Sequence, residues 1–484
     1  MPSRQDQLHS YQYSQQRVVA ALVTHDPDPH RSPLRRAGAT VLVSVVVAAL
    51  AVGGAAVYGL LKGRSSVDPR NDAVVFLEKG TGARYVYLKS DDKMHPVLNY
   101  TSGLLIANAP APAMKNASRE SLAKVELGDP LGIPGAPDTL PPAKGGLLKS
   151  IWTVCSQTPD SEAPQSVLAV GEPVTGGTVL PVPRADTPAS ELRGLLVSDP
   201  ADRTFLVYNN KRFLIPASRL QQTRVWFRWN QAALPVSEAW INAVPIGPDL
   251  KPPAIPGFGG PSTKIADFEV GQVLRVLSEG NSADQWGVVL SDGVADLTDV
   301  QANLMQADPD ANSVREINLT LYGNLPRSQT QLVSAANAAG LPPAVPVLLN
   351  GPDSVCYTYD GSVAGGGVSI RIGPSVPVAR PVVGEPAASG DDQADRVFVP
   401  RGKGALVVAM ASPTAPVSAG TVSIVTDTGR SYPLANRDVM AKLGYGGVRP
   451  QEIPSQLVDL LPVGPALDPD RARLSDAGVE DENP

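Results

Sequence analysis

The stretch GATVLVSVVVAALAVGGAAVYGLL, residues 38–61, carries no charge, and its reading decides how the rest of the chain is understood. At 1.5 Å per residue it makes a helix of about 36 Å, enough to cross a hydrocarbon core of about 30 Å with some tilt. Arg35 and Arg36 precede it, and Lys62 and Arg64 follow it. Both ends therefore hold groups suited to the headgroup region. No later stretch is comparable. The alternative is the core helix of a soluble domain, which would have to be buried on every face. A cleaved signal peptide has a shorter apolar part behind a short basic start, whereas 37 residues come first here. The expectation is a single-pass anchor between a short arm, 1–37, and a long C-terminal region.

Orientation follows from two observations. Residues 1–37 hold five Arg against Asp6, Asp26 and Asp28, whereas the remainder is acidic and brings the whole chain to a net charge of −6. Basic residues immediately beside the span are balanced and do not decide the side. The two cysteines, Cys155 and Cys356, both follow the span. Two lone cysteines in a large β-rich region suggest a disulfide in an oxidising compartment, the alternative being two unrelated buried thiols. The N-terminus is read as cytoplasmic and residues 65–484 as extracytoplasmic. The acidic balance argues against nucleic acid as a partner.

Within the arm, Leu8, Tyr11, Val18 and Leu22 fall at helical spacing with polar residues between them. They predict one amphipathic helix ending near Thr24, where HDPDPH (25–30) stops it. Its apolar face needs a partner protein or the bilayer surface.

Beyond the span the composition is β-like and punctuated, with 48 Pro and 44 Gly in the chain. The clusters at 251–261 and 378–395 read as linkers or edge loops, and the acidic tail, 470–484, as disordered. Four hairpin-like stretches recur: VVFLEKGTGARYVYL (74–88), TFLVYNNKRFLIP (204–216), WGVVLSDGVADL (286–297) and TVSIVTDTGRSYPL (421–434). PIGPDL (245–250) and PVGPAL (462–467) follow the second and fourth at similar distances. GIPGAP (132–137) and GLPPAVP (340–346) follow the first and third, and a cysteine follows each of those. This matched placement strengthens the disulfide reading. The fold class is mainly β with short helices: one transmembrane helix, then four β-rich repeats around a central β domain. The expected bounds are 65–156, 201–264, 265–356 and 417–469 for the repeats, with 157–200 and 360–415 forming the central domain.

Few residues carry a recognisable chemistry. Histidine occurs only at positions 9, 25, 30 and 95, which excludes a Ser-His-Asp site or a His-rich zinc site within the long stretch after His95. His95 reads as an exposed structural residue of a turn region. The stretches PRGKGAL (400–406) and PAKGGLLKS (142–150) lack the spacing of a phosphate-binding loop, and Gly402, Lys403 and Gly404 read as a turn. Carboxylate-only catalysis by pairs such as Asp91–Asp92 or Asp391–Asp392 stays open, because separation in space is not readable. In TRVWFRWN (223–230), the alternating Val225, Phe227 and Trp229 read as a strand packed into a core; a stacking or sugar-binding face is the alternative. No catalytic, cofactor-binding or metal-ligating residue is assigned, and no cofactor is expected.

Taken together, SYQYSQQRVVAAL (10–22), the single span, HPVLNYTSGLL (95–105), GIPGAPDTLP (132–141), SIWTVC (150–155), Cys356 and LLPVGPAL (460–467) resemble the EccB family of actinobacterial type VII (ESX-type) secretion systems. The resemblance runs from about Leu8 to Pro469. It implies four β-rich repeats around a central domain, one disulfide, and assembly with EccC, EccD, EccE and the mycosin protease. The family's repeats resemble cell-wall-binding modules, so peptidoglycan is a further implied partner. Some members are described as ATPases, an activity for which no P-loop is present here. The main expectation is a membrane-anchored structural component of a secretion complex, with Ala51, Ala55 and Gly59 as a small-residue face for helix packing. An ATPase and a cell-wall-binding protein are the alternatives.

Overall fold

Two helices open the chain. The first, Arg4–Thr24, starts at a capping box in which Ser3 and Asp6 satisfy each other's backbone N–H groups, and it ends at His25 in the left-handed conformation. The second, Pro33–Lys62, has no acidic residue in its first turn and contains the apolar span, of which Gly38–Tyr58 is wholly exposed. Exposure on every face removes the core-helix reading. The one hydroxyl in its centre, Ser44, donates to Thr40 O at 2.8 Å and so needs no outside partner.

The computed structural model describes all residues except 1–2, 26–32, 63–66, 149–150, 160–162, 278–283, 309–310, 351–352, 362–366, 382–392, 413–414 and 476–484. It divides into two units, one of residues 1–69 with 117–124 and one of residues 70–116 with 125–484. The expected stop at 26–30, Asp391–Asp392, most of the 378–395 linker and the end of the tail lie outside the described residues.

The described residues form five sheets, and four of them share one plan. In each, three antiparallel strands follow one another, a helix crosses back, and a fourth strand lies beside the first. The strands are Val74–Glu78, Arg84–Leu88, Lys93–Pro96 and Ala113–Ala117 in the first repeat. They are Arg193–Ser198, Thr204–Tyr208, Lys211–Ile215 and Leu234–Pro235 in the second, and Val273–Leu277, Gln285–Leu290, Gly293–Leu297 and Arg315–Asn318 in the third. The fourth has Ala405–Met410, Val422–Val425, Ser431–Pro433 and Gln451–Pro454. The fourth strand is parallel to the first in the second, third and fourth repeats, which requires the crossover. Asn209 and Asn210 both take positive φ, as a two-residue hairpin turn demands.

A second short helix and a return segment complete each repeat. The return segment clasps the third strand. Gly128, Gly247, Ser328 and Gly464 donate backbone N–H groups to Met94, Arg212, Val294 and Ser431, at 2.7–2.9 Å. Leu131, Leu250 and Leu467 then donate to Pro96, Leu214 and Pro433. The next residue of the third strand is His95, Phe213 or Tyr432 in three repeats, and its ring lies against the clasp glycine. A methyl group on Gly247 would sit 2.5 Å from Phe213 Cε1, and Gly128 and Gly464 are as closely covered by the rings of His95 and Tyr432. The third repeat has Ala295 where the others have a ring and Ser328 where they have glycine. Without the ring there is room for a side chain.

The fifth sheet joins the repeats. Its order is Arg380–Pro381, Arg396–Phe398, Gln165–Val170, Trp152–Gln157, Ser354–Tyr359, Val368–Ser375, Thr175–Val179. The two middle strands are antiparallel, with Cys155 opposite Cys356. The surroundings repeat about this point. Leu148, seven residues before Cys155, donates to Gly404 O just before the first strand of the fourth repeat, and Leu349, seven before Cys356, donates to Gly194 O on the first strand of the second, both at 2.8 Å. Helix Tyr100–Ile106 of the first repeat shares a core with the fourth, and helix Asp299–Gln306 of the third shares one with the second. The larger unit is thus two similar halves, the first repeat with the fourth and the third with the second, related by a local twofold.

Several expected bounds move. Trp152–Gln157 and Ser354–Tyr359, expected to close the first and third repeats, are the centre of the joining sheet. Arg193–Ser198 and Ala405–Met410, expected in the central domain, open the second and fourth repeats. The hairpin at 74–88 joins first and second strands, whereas the other three join second and third. Polar turns look alike in sequence, so strand pairs could be matched one step out of phase. In the tail, Pro469–Ala472 is helical, Ala472 is buried and Ser475 bridges Leu131. Apolar anchoring therefore orders the first residues of a segment expected to be disordered.

The clasp predicts a coupling. Gly464→Ala should destabilise the larger unit by about 1–3 kcal/mol through overpacking. In a Tyr432→Ala background, which copies the third repeat, the same substitution should cost clearly less. A double-mutant cycle by denaturant unfolding measures this, and additive effects would contradict the packing account.

Candidate functional site

The cysteines form the disulfide Cys155–Cys356, with Cα atoms 4.0 Å apart and a sequence separation of 201. Both are fully buried beside Val167, Val174 and Ala379, with Phe398 packed against them. The bond closes a loop that contains the whole of the second and third repeats.

The two lysine-bearing stretches weighed as phosphate loops meet each other. Gly402 and Lys403 form a turn before strand Ala405–Met410, not the start of a helix. Lys403 Nζ donates to Gly145 O, Gly402 N–H donates to Asp427 Oδ2 at 2.8 Å, and Leu147 bridges Gly404. The ammonium that would hold a phosphate instead joins the bridge at Gly404 in stitching the first repeat to the fourth, and the Gly402 amide is spent within the fourth. Lys442 strengthens the same seam by donating to Leu105 O and Ala107 O at the end of helix Tyr100–Ile106. Burial lowers the pKa of its ammonium. The corresponding seam of the other half carries Arg219–Asp308 at 2.6 Å.

Other candidates resolve into structure. His95 is buried, not exposed, because its ring is the clasp ring of the first repeat. Its nitrogens lie 2.8 Å from Asp129 O and 2.9 Å from Asp91 Oδ2. Asp92 holds Arg70 and the Tyr87 hydroxyl. The run at 223–230 is not a strand. Helix Leu220–Trp226 ends there, and Arg228 takes φ 54°. That turn brings Phe227 and Trp229 edge to face at 4.7 Å in the core while Val225 is 74% exposed, so the alternation that suggested a strand is coincidental. In the third repeat, Tyr322 donates to Asp296 Oδ1 at 2.6 Å and Arg327 pairs with the same carboxylate. Burial and that carboxylate push the tyrosine's pKa up to about 12.

Surfaces are more informative than clefts. Leu8, Tyr11, Val18 and Leu22 are all exposed on one face of the arm helix, and Ala20, on the opposite face, is buried. Ala51 and Ala55 are exposed on the apolar helix, with Gly59 one turn further along. A small cleft of about 260 Å³ lies where strands Leu234–Pro235 and Val347–Leu348 share one edge of Arg193–Ser198, lined by Leu195, Leu196 and Leu349. Among the described residues, no group of His, Cys, Asp and Glu side chains is arranged to hold a metal ion. Sequence reading missed the clasp glycine Gly128 and the Leu148/Leu349 pair. The signals were there, as GDPL (128–131) beside GPDL and GPAL, and as two Leu-Leu pairs seven residues before the cysteines.

Residues 1–480 match a family model described as "Type VII secretion system ESX-1, transport TM domain B". The chain is 29% identical to the ESX-1 secretion system ATPase EccB1 of Mycolicibacterium smegmatis over 99% of this chain and 96% of that protein. It is 24% identical to the protein of the same name in Mycobacterium tuberculosis over 97% and 94%. Its fold is similar to a chain of the intact ESX-5 inner membrane complex (TM-score 0.65, 22% identity, 98% of this chain and 95% of that one). It is also similar to a chain of the EccB3 dimer from the ESX-3 core complex (TM-score 0.61, 25% identity, 83% and 100%).

Removing the crosslink should cost stability without changing the fold. In chain-entropy terms a loop of this size is worth up to about 5 kcal/mol, less whatever residual structure the unfolded chain retains. Cys155→Ala/Cys356→Ala should lower the denaturation midpoint of the outer region and leave its circular dichroism unchanged. An unchanged midpoint would show that the bond adds nothing.

Proposed function

This chain belongs to the EccB family of type VII secretion systems, and on that premise we propose that it is a membrane-anchored structural core component of a type VII complex, working by assembly and not by turnover. The observation that carries the reading is architectural. One exposed apolar helix leads to a large β region in which Lys403, Lys442, the clasp glycines and both cysteines are spent on its own seams. The proposed topology places the arm in the cytoplasm and the disulfide-bonded region outside the inner membrane. Partners are the other membrane components EccC, EccD and EccE, with the mycosin protease and peptidoglycan as further candidates. The arm helix offers Leu8, Tyr11, Val18 and Leu22 to a cytoplasmic partner. The four repeats, the joining sheet and residues 1–37 each serve as separate parts of that scaffold.

Relatives bear the word ATPase in their names, and this supports one rival reading. Lys403→Ala separates the two: a structural role weakens the seam to Gly145, whereas an enzyme would lose nucleotide hydrolysis with the complex intact.

In the anchor, Ala51, Ala55 and Gly59 at four-residue spacing permit close helix approach. Ala55→Ile should leave the chain inserted and folded but reduce its recovery in the large detergent-extracted complex several-fold, with secretion falling in parallel. Native gels beside a secretion assay provide the test, and normal values for both would remove this face. For topology, a phosphatase fused after residue 61 should be active and one fused before residue 38 inactive. The reverse pattern would invert the assignment.

A further inference from the structure

The two halves of the larger unit differ at one matched position. In the second repeat, strand Arg193–Ser198 is flanked along one edge by two short parallel strands. Val347 and Leu348 lie opposite Arg193 and Gly194, and Leu234 and Pro235 lie opposite Val197 and Ser198. Leu195 and Leu196 fall in the gap between the two flanking strands. The fourth repeat has the same gap. Leu147 bridges Gly404, Gln451 lies opposite Val407, and Ala405 and Leu406 fall between. The correspondence runs residue by residue, Gly194 with Gly404, Val197 with Val407, Leu349 with Leu148 and Leu234 with Gln451. Leu349 and Leu148 fix it by donating to the matched glycine carbonyls, both at 2.8 Å.

The gap is bridged in one half and open in the other. In the fourth repeat the side chain of Gln451 spans it, and Nε2 donates to Leu148 O. Its Oε1 is buried and finds no donor among the described residues, so the donated bond is what fixes the carboxamide. In the second repeat the matching residue is Leu234, which has no donor to give and packs against the central core. What remains there is the cleft of about 260 Å³, walled by Leu195, Leu196, Leu234, Leu348 and Leu349. Leu349 O is the counterpart of the carbonyl that Gln451 satisfies.

We propose that this cleft takes the side chain of a glutamine in a partner peptide, with its carboxamide donating to Leu349 O as Gln451 Nε2 donates to Leu148 O. The chain itself supplies the occupant's chemistry, because the matched gap of the other half is filled by that group. The walls narrow the choice further. A glutamate side chain of the same length has no donor for the carbonyl when ionised. A lysine ammonium could donate, but among five leucines it would lose its hydration for a single hydrogen bond. An apolar side chain would fill the volume and leave the carbonyl without that bond. The neutral carboxamide meets both the carbonyl and the leucines. The inference rests on the comparison of the two halves and stands whatever the chain's role in secretion.

The test uses the full-length chain in detergent at neutral pH with two peptides, acetyl-Ala-Gln-Ala-N-methylamide and its glutamate analogue, followed by saturation-transfer NMR. The side-chain methylenes of the glutamine peptide should receive at least threefold more saturation than those of the glutamate peptide. Leu234→Gln, which copies the fourth repeat, should remove the difference by filling the cleft from within, with circular dichroism unchanged. Ala232→Trp, at an exposed position on the wall, should remove it by blocking the mouth. Gln451→Leu, which copies the second repeat, should open the other gap and raise the glutamine-specific signal about twofold. Equal transfer to the two peptides would overturn the proposal, as would a difference that survives both Leu234→Gln and Ala232→Trp. Absence of co-purifying secretion components would count against the proposed function alone.

Discussion

The antiparallel pair Trp152–Gln157 and Ser354–Tyr359 is the constraint on which the outer region depends. Each strand is the exit from the first or third repeat and brings its preceding leucine to the start of the first strand of the fourth or second. Registering Cys155 opposite Cys356 therefore positions all four repeats at once. The disulfide holds a register that the sheet already specifies. Buried Val154, Trp152, Val355 and Tyr357 on these strands belong to a core that also receives the second helices of the second and fourth repeats. Register, crosslink and core reinforce one another, which is how a chain with so many turns settles on one arrangement.

Within each repeat the organising contact is smaller. A glycine under a ring lets the return segment come close enough to donate two backbone hydrogen bonds to the third strand. The paired change in the third repeat, ring to Ala295 and glycine to Ser328, shows the two positions acting together. It also ends the clasp early: Ser328 donates to Val294, and the chain then turns toward helix Leu332–Ala339.

The anchor, the β class and the cysteine pairing were legible because each rests on a local or countable signal: an uncharged run, turn residues, two cysteines in matched places. PIGPDL and PVGPAL marked the return segments of two repeats. ELGDPL (126–131) is the same element, but its proline is displaced by one position, so it passed unnoticed. Sheet membership was not legible, because the choice between closing a repeat and opening the joining sheet depends on partners some 200 residues away. His95 and the run at 223–230 were misread for a related reason. Period-2 alternation and a polar neighbourhood describe the local chain, whereas burial is set by the segment that packs on top. The lysine-bearing stretches failed as phosphate loops in sequence, and in space their polar atoms are turned to a structural end.

The joining sheet has one more property. Thr175–Val179 leaves the first half and pairs with Val368–Ser375 of the second, while Arg396–Phe398 leaves the second half and pairs with Gln165–Val170 of the first. Neither half can complete its share of the sheet from its own strands. The earliest of these strands must wait for a partner more than 200 residues later, a separation that makes closure slow and late. During synthesis the chain would emerge with Trp152–Gln157 and Gln165–Val170 paired with each other but still without their later partners. Their bare edges and apolar faces are then exposed to other chains. Exchange of an edge strand between neighbouring nascent copies is the misassembly that this topology invites, and keeping copies apart until residue 398 has been made would suppress it.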